Sequence, residues 1–327
     1  MVSTTALEYL RAQGTGISCD TMDVTIAENY LGRKYINSTS NQAICLGELQ
    51  RVGNEDIIRK AAEDVKKREG LSEEEQINQT VFRAMAVLGV RMSKSIEGCA
   101  LTQTSPKLVH DTEGTIKNAR QIIAEYEDLG LPRDRVIIKI PSSWECLQAG
   151  AKLKEEGIKT LGTMVFCLEQ AIVAAQVGCV AISPYVNSLQ VNLNPKDLYV
   201  DHEDITNHEG VMTSKQIQEY YWAHNVKTLN VPAGMIGINE PIALAGVDEM
   251  TLPETLLNGL NQLSDFSQHS VLVKPAQSEK FTPLSESDFR TKFNANKTAV
   301  ENLAFAAKAF GQFEDTLLDL AKQALSK

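Results

Sequence analysis

The chain has 327 residues, of which 43% are hydrophobic and 23% are charged, so it can form one large globular domain or two ordinary ones. Its formal net charge is −10, and it has no long basic run, which argues against sequence-independent binding of nucleic acid. No stretch approaches the roughly 18 consecutive apolar residues of a membrane span.

The N-terminal sequence and the cysteines indicate a cytoplasmic protein. MVSTTALEYLRAQG has no basic region followed by an apolar stretch, so we expect no signal peptide. The six cysteines form no C-x-x-C pair, and most lie in apolar runs, which is typical of reduced thiols in a protein core.

Strand-like and helix-like segments alternate along the chain. The candidate strands are Gly16–Cys19 and segments 35–38, 98–103, 135–140, 160–166, 180–185, 228–231 and 250–252. Helical periodicity is clearest over 112–129, 143–156 and 168–177. Segment 189–214 is a polar insertion, and segment 288–327 predicts a helical extension at the C-terminus.

This alternation, with strands that are apolar on both faces, predicts a parallel sheet. An open doubly wound sheet would also fit, but no G-x-G-x-x-G or P-loop motif follows any candidate strand. We therefore predict an α/β fold, a (β/α)8 barrel with additional C-terminal helices, that forms one domain over residues 1–327. Function then belongs at the C-terminal ends of the strands.

Lys139 interrupts the apolar run RVIIKIP, one residue before its last isoleucine. At that position in a barrel its side chain points into the interior, where burial disfavours the charged form and lowers its pKa. A neutral amine can attack a ketone to form a Schiff base. A structural lysine paired with a carboxylate is the alternative that position alone leaves open.

Other polar residues stand where strands should end. They are Asp20, Asn41, Gln103, Thr163, Ser183 and Tyr185. An inward carboxylate could move protons during aldol chemistry, and amide or hydroxyl groups could hold substrate hydroxyls. Asn41 could equally cap a turn and Ser183 could bond to the backbone, but packing does not explain all six together.

At these residues the sequence resembles the transaldolase family. KIPSSWECLQAG resembles the signature K-[IL]-x-S-T-W-x-G-[IL]-x-A, TSNQAI resembles T-T-N-P-S-[LI], and SCDTMD resembles A-D-T-G-D. The segment that ends in AISPYV resembles a family segment that ends in I-S-P-F-V. The similarity extends from about Leu7 to Leu325.

The resemblance implies Schiff-base aldol chemistry that uses no metal and no other cofactor. Lys139 would be the covalent lysine and Asp20 the acid–base carboxylate. Asn41 and Ser183 would hydrogen-bond the hydroxyls of a dihydroxyacetone-like unit, and Thr163 would position the catalytic water.

Three positions inside the barrel depart from the family pattern. Gln103 stands in place of a water-activating glutamate, and a glutamine cannot take a proton. Tyr185 replaces the phenylalanine of I-S-P-F. Both changes resemble the fructose 6-phosphate aldolase branch, which catalyses direct aldol addition and cleavage and does not transfer a three-carbon unit. Leu161 replaces a donor-binding asparagine, which makes that part of the pocket more apolar.

The phosphate-binding residues of the family are replaced as well. Ser188 stands where F-V-G-R has its arginine, and Gly234 and Ile236 stand where G-A-S-F-R has a serine and a second arginine. An apolar side chain cannot replace a bidentate arginine–phosphate contact. We therefore expect a substrate without phosphate and, from Met235 and Ile236, a less polar mouth.

Three hypotheses follow. The main one is a Schiff-base aldolase or lyase that forms or cleaves carbon–carbon bonds of a ketone or ketose lacking a phosphate group. The second is a transaldolase that moves dihydroxyacetone between sugar phosphates, with Lys196 or Lys215 as replacement cation. The third is a non-catalytic relic of the barrel.

The expected partner is a small carbonyl compound, not a nucleic acid or a membrane, and a homodimer is expected by analogy alone. The stretch DHEDITNHEG (201–210) contains His202 and His208, but we interpret it as a solvated loop rather than a metal site.

Overall fold

Parallel strands form the centre of the computed structural model, which describes residues 4–327; residues 1–3 of the predicted domain lie outside the described residues. The strands are β1 (Gly16–Cys19), β2 (Ala100–Gln103), β3 (Val136–Pro141), β4 (Lys159–Val165), β5 (Ala181–Pro184), β6 (Leu229–Asn230) and β7 (Glu249–Leu252). The predicted strand at 35–38 is instead an extended segment that forms single β-bridges.

Hydrogen bonds join these eight segments into a ring. Strands β2 to β6 pair in chain order, and β1 pairs with β7. The extended segment 35–38 joins β1 to β2 through Ile36 N to Ile17 O and Leu101 N to Ser38 O, both at 2.9 Å. Thr251 N of β7 donates at 3.2 Å to the carbonyl of residue 232, just after β6. The predicted (β/α)8 barrel is confirmed.

Helices surround the ring, and the three predicted from periodicity, over 112–129, 143–156 and 168–177, are found within one residue of those bounds. The helices are α1 (Ala6–Ala12), α2 (Val24–Glu28), α3 (Gln42–Leu49), α4 (Glu55–Lys66), α5 (Glu73–Met92), α6 (Thr112–Asp128), α7 (Trp144–Glu155), α8 (Leu168–Val177), α9 (Leu189–Leu193), α10 (Pro195–Leu198), α11 (Glu209–Ala223), α12 (Asn239–Ala243), α13 (Glu254–Gln262), α14 (Glu286–Ala295) and α15 (Lys297–Leu325). Short 3-10 helices occupy Pro106–Leu108, Arg133–Arg135 and Ile205–Asn207. In the described part of the chain, none of the helices has the length and apolar run that a bilayer crossing requires.

Apolar side chains fill the lower barrel interior. Leu101, Ile137, Leu161 and Val231 pack there in one buried cluster, which we call the apolar floor. Because side chains alternate along a strand, the residue two positions beyond Ile137, which is Lys139, points to the same interior. The floor therefore ends where the polar part of the barrel begins.

The C-terminal extension forms two helices, as predicted, and the longer one lies beside the mouth of the barrel. Leu303 and Phe310 of α15 pack in one cluster with Met164 of β4 and Leu189 of α9. Since β4 ends at this face, α15 lies next to the strand ends that carry the predicted site. The insertion contains α9, α10 and the start of α11, so it is not a simple loop.

Candidate active site

Lys139 lies near the C-terminal end of β3 inside the barrel. Its residue is 4% exposed, and its Cα pairs in register with Gln103 of β2 and Leu161 of β4. Burial lowers the pKa of its ammonium group, while the nearby Asp20 carboxylate and Cys45 oppose that shift. In residues 4–327 no salt bridge joins it to a carboxylate. The site therefore favours an uncharged amine, the form that attacks a carbonyl carbon.

Asp20 directly follows β1 and is held by two neighbouring segments. Its N–H donates to the Leu252 carbonyl of β7 at 3.0 Å. The Thr39 hydroxyl donates a short hydrogen bond to the Asp20 carboxylate and lies 2.9 Å from the Thr251 hydroxyl. Threonines from two sides of the ring thus orient the carboxylate whose field reaches Lys139.

Several buried polar groups at the strand ends have no hydrogen-bond partner among the described residues. They include both amide atoms of Gln103 and the hydroxyls of Thr163 and Ser142. Gln42 donates to the Thr104 carbonyl at 3.0 Å, but its Oε1 is also unpartnered. Each such atom destabilises the fold by about 1–3 kcal/mol. A cluster of them is therefore expected where water or a ligand completes the hydrogen bonds.

A β-bulge in β4 sets the direction of Thr163. The pairing with β5 shifts after Gly162, and Met164 has a φ of 57°, in the left-handed region. Gln170 of α8, which is wholly buried, donates to the Met164 carbonyl at 3.1 Å and accepts from Phe166 N at 2.7 Å. The surrounding structure thus holds a backbone conformation that is unfavourable by itself.

Lys139, Asp20, Gln103 and Thr163 lie together at the strand ends inside the barrel, and we call this group the inner site. Tyr185 connects the inner site to the mouth of the barrel. Its N–H donates to the Val165 carbonyl at 3.0 Å, and its ring meets that of Phe166 edge-on at 5.6 Å. Burial raises the pKa of its phenol; the Thr163 hydroxyl beside it lowers that pKa, and the Asp20 carboxylate raises it. The phenol therefore keeps its proton at neutral pH and remains a hydrogen-bond donor.

Asn41 and Ser183, the predicted hydroxyl-binding residues, both lie at this end of the barrel. Asn41 caps α3, where its Oδ1 accepts from Ile44 N at 3.0 Å, so its amide nitrogen is the atom that could reach a ligand. Ser183 is 3% exposed and is the last residue but one of β5. Leu161 belongs to the apolar floor with Ile137, and its Cα pairs in register with that of Lys139.

The three positions without the family's phosphate-binding residues come together at the mouth. Ser188 caps α9 with its hydroxyl. Gly234, at a φ of 68°, accepts a hydrogen bond from Asn187 N at 3.2 Å. Ile236 N donates to Glu240 Oε2 at 2.8 Å. The carboxylate of Glu240, and not a cation, is the charged group bonded to this part of the chain.

Two expectations about the mouth are wrong. Met235 is 2% exposed and packs in the core, so it does not make the mouth apolar. His208 does not belong to a solvated loop: it is 6% exposed, because it caps α11 and its ring lies 3.3 Å from Glu240. Most of the other residues in the stretch 201–210 are exposed, as predicted. No group of three His, Cys, Asp or Glu side chains in residues 4–327 could hold a metal ion.

A pocket of about 430 Å³, here called the outer pocket, opens at this mouth. Its lining includes Tyr185, Asn187, Ser188, His202, His208, Glu209, Thr298 and Asn302. Among the described residues no lysine or arginine lines it. Lys215 instead pairs with Glu219 at 2.6 Å, and Lys196 is exposed on α10, so neither predicted replacement cation reaches the outer pocket.

Comparison with known proteins gives the family. The family model described as transaldolase/fructose-6-phosphate aldolase matches residues 17–321. The chain belongs to this family. The transaldolase of Schizosaccharomyces pombe is 32% identical to it over 98% of this chain and 99% of the relative. The transaldolases of Saccharomyces cerevisiae and Rattus norvegicus are 32% and 31% identical, over 98% and 93% of this chain and 96% and 90% of theirs.

Membership in the transaldolase/fructose-6-phosphate aldolase family confirms an enzyme of the transaldolase and aldolase type. The names of the relatives favour the transaldolase hypothesis over the main hypothesis of a phosphate-free aldolase. The family description covers both branches, so the aldolase-branch interpretation of Gln103 and Tyr185 stays a prediction. The role of Lys139 and of each other site residue stays a prediction too.

Sequence reasoning missed four residues that shape the site. Thr39, Ser142 and Gln170 lie within stretches already compared with family motifs, so their polar side chains were a usable signal. Glu240 gave no such signal, because its partner Asn187 lies 53 positions earlier in the chain. Only the folded structure brings those two side chains together.

Proposed function

We propose that the protein is a transaldolase that moves a three-carbon ketol unit from a ketose to an aldehyde through a Schiff base on Lys139. The observation that carries this proposal is the buried amine near the end of β3, with its lowered pKa and no carboxylate paired to it in residues 4–327. Burial favours the unprotonated amine, and only that form has a lone pair to add to a ketone.

The bonds in this proposal form and break in a fixed order. The amine nitrogen of Lys139 adds to the ketone carbon, and loss of water from the carbinolamine leaves an iminium ion. The bond between the α and β carbons of this iminium ion then breaks, and its electron pair forms the carbon–carbon double bond of an enamine while the iminium nitrogen becomes neutral. The hydroxyl on the departing carbon gives its proton to Asp20 and leaves as an aldehyde.

The second half reverses these steps on another aldehyde. The enamine carbon adds to the new carbonyl carbon, whose oxygen takes the proton back from Asp20. Water then hydrolyses the new iminium, which releases the product ketose and restores the free amine. In this scheme Gln103, Thr163 and Tyr185 hold the water, because their polar groups face the inner site and two of them lack other partners.

A second candidate, the phosphate-free aldolase, is favoured by one observation at the mouth. Asn187, which precedes Ser188, donates hydrogen bonds both to the Gly234 carbonyl and to the buried Glu240 carboxylate, and no lysine or arginine of the described chain lines the outer pocket. A phosphate group there would have no counter-charge. The relatives support the transfer reaction, whereas the pocket supports a substrate end without phosphate, and both can hold in one enzyme.

Borohydride reduction in the presence of dihydroxyacetone tests the Schiff base. We expect one reduced ketone per chain by intact mass, and peptide mapping should locate it on Lys139. Lys139→Met should give no adduct. Lys159→Met is a matched control, because that lysine begins β4 and its Nζ donates to the Asp134 carbonyl at 2.7 Å, outside the site. Absence of an adduct from the wild type with dihydroxyacetone, hydroxyacetone and fructose would contradict the proposal.

Steady-state assays separate the two candidates. Fructose 6-phosphate with erythrose 4-phosphate tests transfer between sugar phosphates, and fructose with glyceraldehyde tests the same transfer without phosphate. Release of aldehyde from fructose alone, with no second aldehyde present, would indicate cleavage instead of transfer.

A further inference from the structure

The outer pocket has the features of a substrate subsite. Its volume of about 430 Å³ lies in the range of small-molecule sites. Tyr185 lines it, and the phenol of that residue lies near Thr163 and Asp20, so the outer pocket adjoins the inner site. Helix α15 contributes Thr298 and Asn302, which lie four residues apart and therefore on one face of the helix.

A fixed negative charge lies directly behind this pocket. Glu240 is 1% exposed and accepts hydrogen bonds from Asn187 Nδ2 at 3.0 and 3.1 Å and from Ile236 N at 2.8 Å. Burial alone would raise the pKa of Glu240, but hydrogen bonds from His208, Asn187 and Ile236 outweigh it and lower that pKa. The carboxylate is therefore ionised at neutral pH and has its partners within the protein.

Both ring nitrogens of His208 are engaged by groups of the protein. Its Nδ1 accepts a hydrogen bond from Val211 N at 3.4 Å, so that nitrogen carries no proton. Its Nε2 lies 3.3 Å from both Glu240 Oε1 and Asn187 Oδ1. The imidazole that lines the pocket thus has both nitrogens in use within the protein.

Glu209 is the carboxylate in the lining of the pocket, and no lysine or arginine of the described residues accompanies it there. It lies in the first turn of α11. The His202 ring lies 4.9 Å from that of His208 and is the other imidazole of the lining. An anionic ligand would approach Glu209 and Glu240 without an opposing charge, which is unfavourable in a partly buried site.

We propose that the outer pocket binds the uncharged, hydroxyl-bearing end of a sugar or polyol-like substrate and discriminates against phosphorylated ligands. Asn302 and Thr298 of α15 hydrogen-bond the ligand hydroxyls, and Glu240 excludes anions while it holds Asn187 and His208 in place. This inference rests on the proposed Schiff-base function, since it assigns the far end of that same substrate. It also makes the C-terminal helix part of the specificity of the enzyme.

Matched ketoses test the inference, at about pH 8, where a free imidazole is neutral. We expect the wild type to have a higher kcat/KM with fructose than with fructose 6-phosphate, with glyceraldehyde as common acceptor. Asn302→Ala should lower kcat/KM for fructose by roughly tenfold, the effect of one lost hydrogen bond. Asn294→Ala, on the exposed surface of α14, is the control and should change nothing.

A charge introduced into the pocket gives the converse test. Asn302→Lys should raise the ratio of kcat/KM for fructose 6-phosphate over fructose by roughly tenfold or more, because it places a cation near the ligand end. A wild type that prefers fructose 6-phosphate, or that is inhibited competitively by inorganic phosphate against fructose, would overturn the inference. So would an Asn302→Lys variant whose substrate ratio does not move.

The short ketone dihydroxyacetone separates this inference from the proposed function. It is too small to fill both sites, so borohydride trapping with it reports on Lys139 alone and should be equal in the wild type and both Asn302 variants. Failure of trapping in the wild type would refute the Schiff-base proposal. Normal trapping together with a preference for the phosphorylated ketose would refute the pocket assignment and leave the Schiff-base proposal intact.

Discussion

The inner site and the outer pocket treat buried polar atoms in opposite ways. Around the lysine strand, the Gln103 amide and the Thr163 hydroxyl have no partner among the described residues. Behind the outer pocket, Glu240 has hydrogen bonds from Asn187, from His208 and from a backbone N–H. The hydrogen bonding of the inner site is therefore incomplete within the described residues, whereas that of the network around Glu240 is closed.

This difference separates chemistry from specificity. A polar group without a partner destabilises the fold, and it persists at a site where a ligand or water supplies the missing bond. A fully bonded network is rigid and presents a fixed charge to whatever approaches. The inner site is therefore the place where bonds to the substrate change, whereas the outer network decides which substrate can enter.

Lys139→Met should have the largest effect, because it removes the only proposed nucleophile. We expect kcat to fall by about 10³-fold or more, on the scale seen when a catalytic nucleophile is removed. The fold should become more stable at neutral pH. The folded-state pKa of this lysine lies below its unfolded value, so at neutral pH the buried ammonium is unfavourable, and this penalty disappears as pH rises toward the unfolded pKa.

Turnover and urea unfolding of the same variant check both halves of that prediction. Lys159→Met is the control and should retain turnover. Unchanged turnover of Lys139→Met, or a loss of stability together with loss of activity, would mean that Lys139 is a structural lysine. The comparison between the two regions would then lose its catalytic half.

Asn187→Leu tests whether the outer network is closed. It removes two hydrogen bonds to the buried Glu240 and one to the Gly234 carbonyl, so we expect a loss of about 3 kcal/mol in the free energy of unfolding. Urea unfolding measures it. Asn294→Leu, at an exposed position of α14, should stay within about 0.5 kcal/mol of the wild type.

Equal stability of the two asparagine variants would show that Glu240 finds other partners and that the network is not rigid. The argument for a fixed negative charge behind the outer pocket would then weaken. At a temperature where Asn187→Leu is folded, the enamine formed from dihydroxyacetone should add to an acceptor aldehyde at a rate close to that of the wild type.

Thr163→Val tests the incomplete region with a smaller change. The side chain keeps its shape and loses a buried hydroxyl that lies beside the Tyr185 phenol but makes no hydrogen bond to any described residue, so we expect the free energy of unfolding to rise by about 1 kcal/mol. At the same time kcat should fall by roughly 10-fold or more, since a group that positions the water is lost. A variant that gains stability and loses turnover identifies a functional hydroxyl.

Thr228→Val is the matched control for that experiment. Thr228 is also buried, but its hydroxyl donates to the Cys179 carbonyl at 2.7 Å at the opposite end of the barrel. The same substitution should therefore destabilise the fold by about 1 kcal/mol and leave kcat unchanged. If both variants lose stability, Thr163 has a protein partner and its role in holding water is refuted.

The sequence predicted the inner site better than the outer pocket for a physical reason. Asp20, Gln103, Lys139 and Thr163 lie at or next to strand ends, and the ends of parallel strands meet at one face whatever the details of the loops. Barrel class, strand positions and site face therefore followed from local pattern. The prediction of a regular strand at 35–38 failed, since only single bridges form there.

The outer pocket depends on contacts between distant segments, which local pattern cannot give. The acidic stretch around His208, with Asp204 and Glu209, predicts a solvated loop, yet the His208 side chain is buried against Glu240. Met235 stands next to Ile236 in sequence but turns into the core. Such outcomes are decided by packing between residues tens of positions apart.

Asp20→Asn should have the subtlest effect and sharpens the electrostatic side of the comparison. The Asp20 carboxylate raises the pKa of Lys139 against the larger, opposite effect of burial, so removing its charge should lower that pKa further. A lower pKa means that the neutral amine persists to lower pH. The acid limb of the borohydride trapping rate with dihydroxyacetone should therefore shift to lower pH, even if turnover of a full substrate is lost with the acid–base group. Asp23→Asn, which keeps an N-cap acceptor on α2 and removes only the carboxylate charge and its pair with Arg51, should leave the limb in place. A shift of the limb to higher pH in Asp20→Asn would mean that desolvation does not dominate at Lys139, and the buried neutral amine would no longer explain the chemistry.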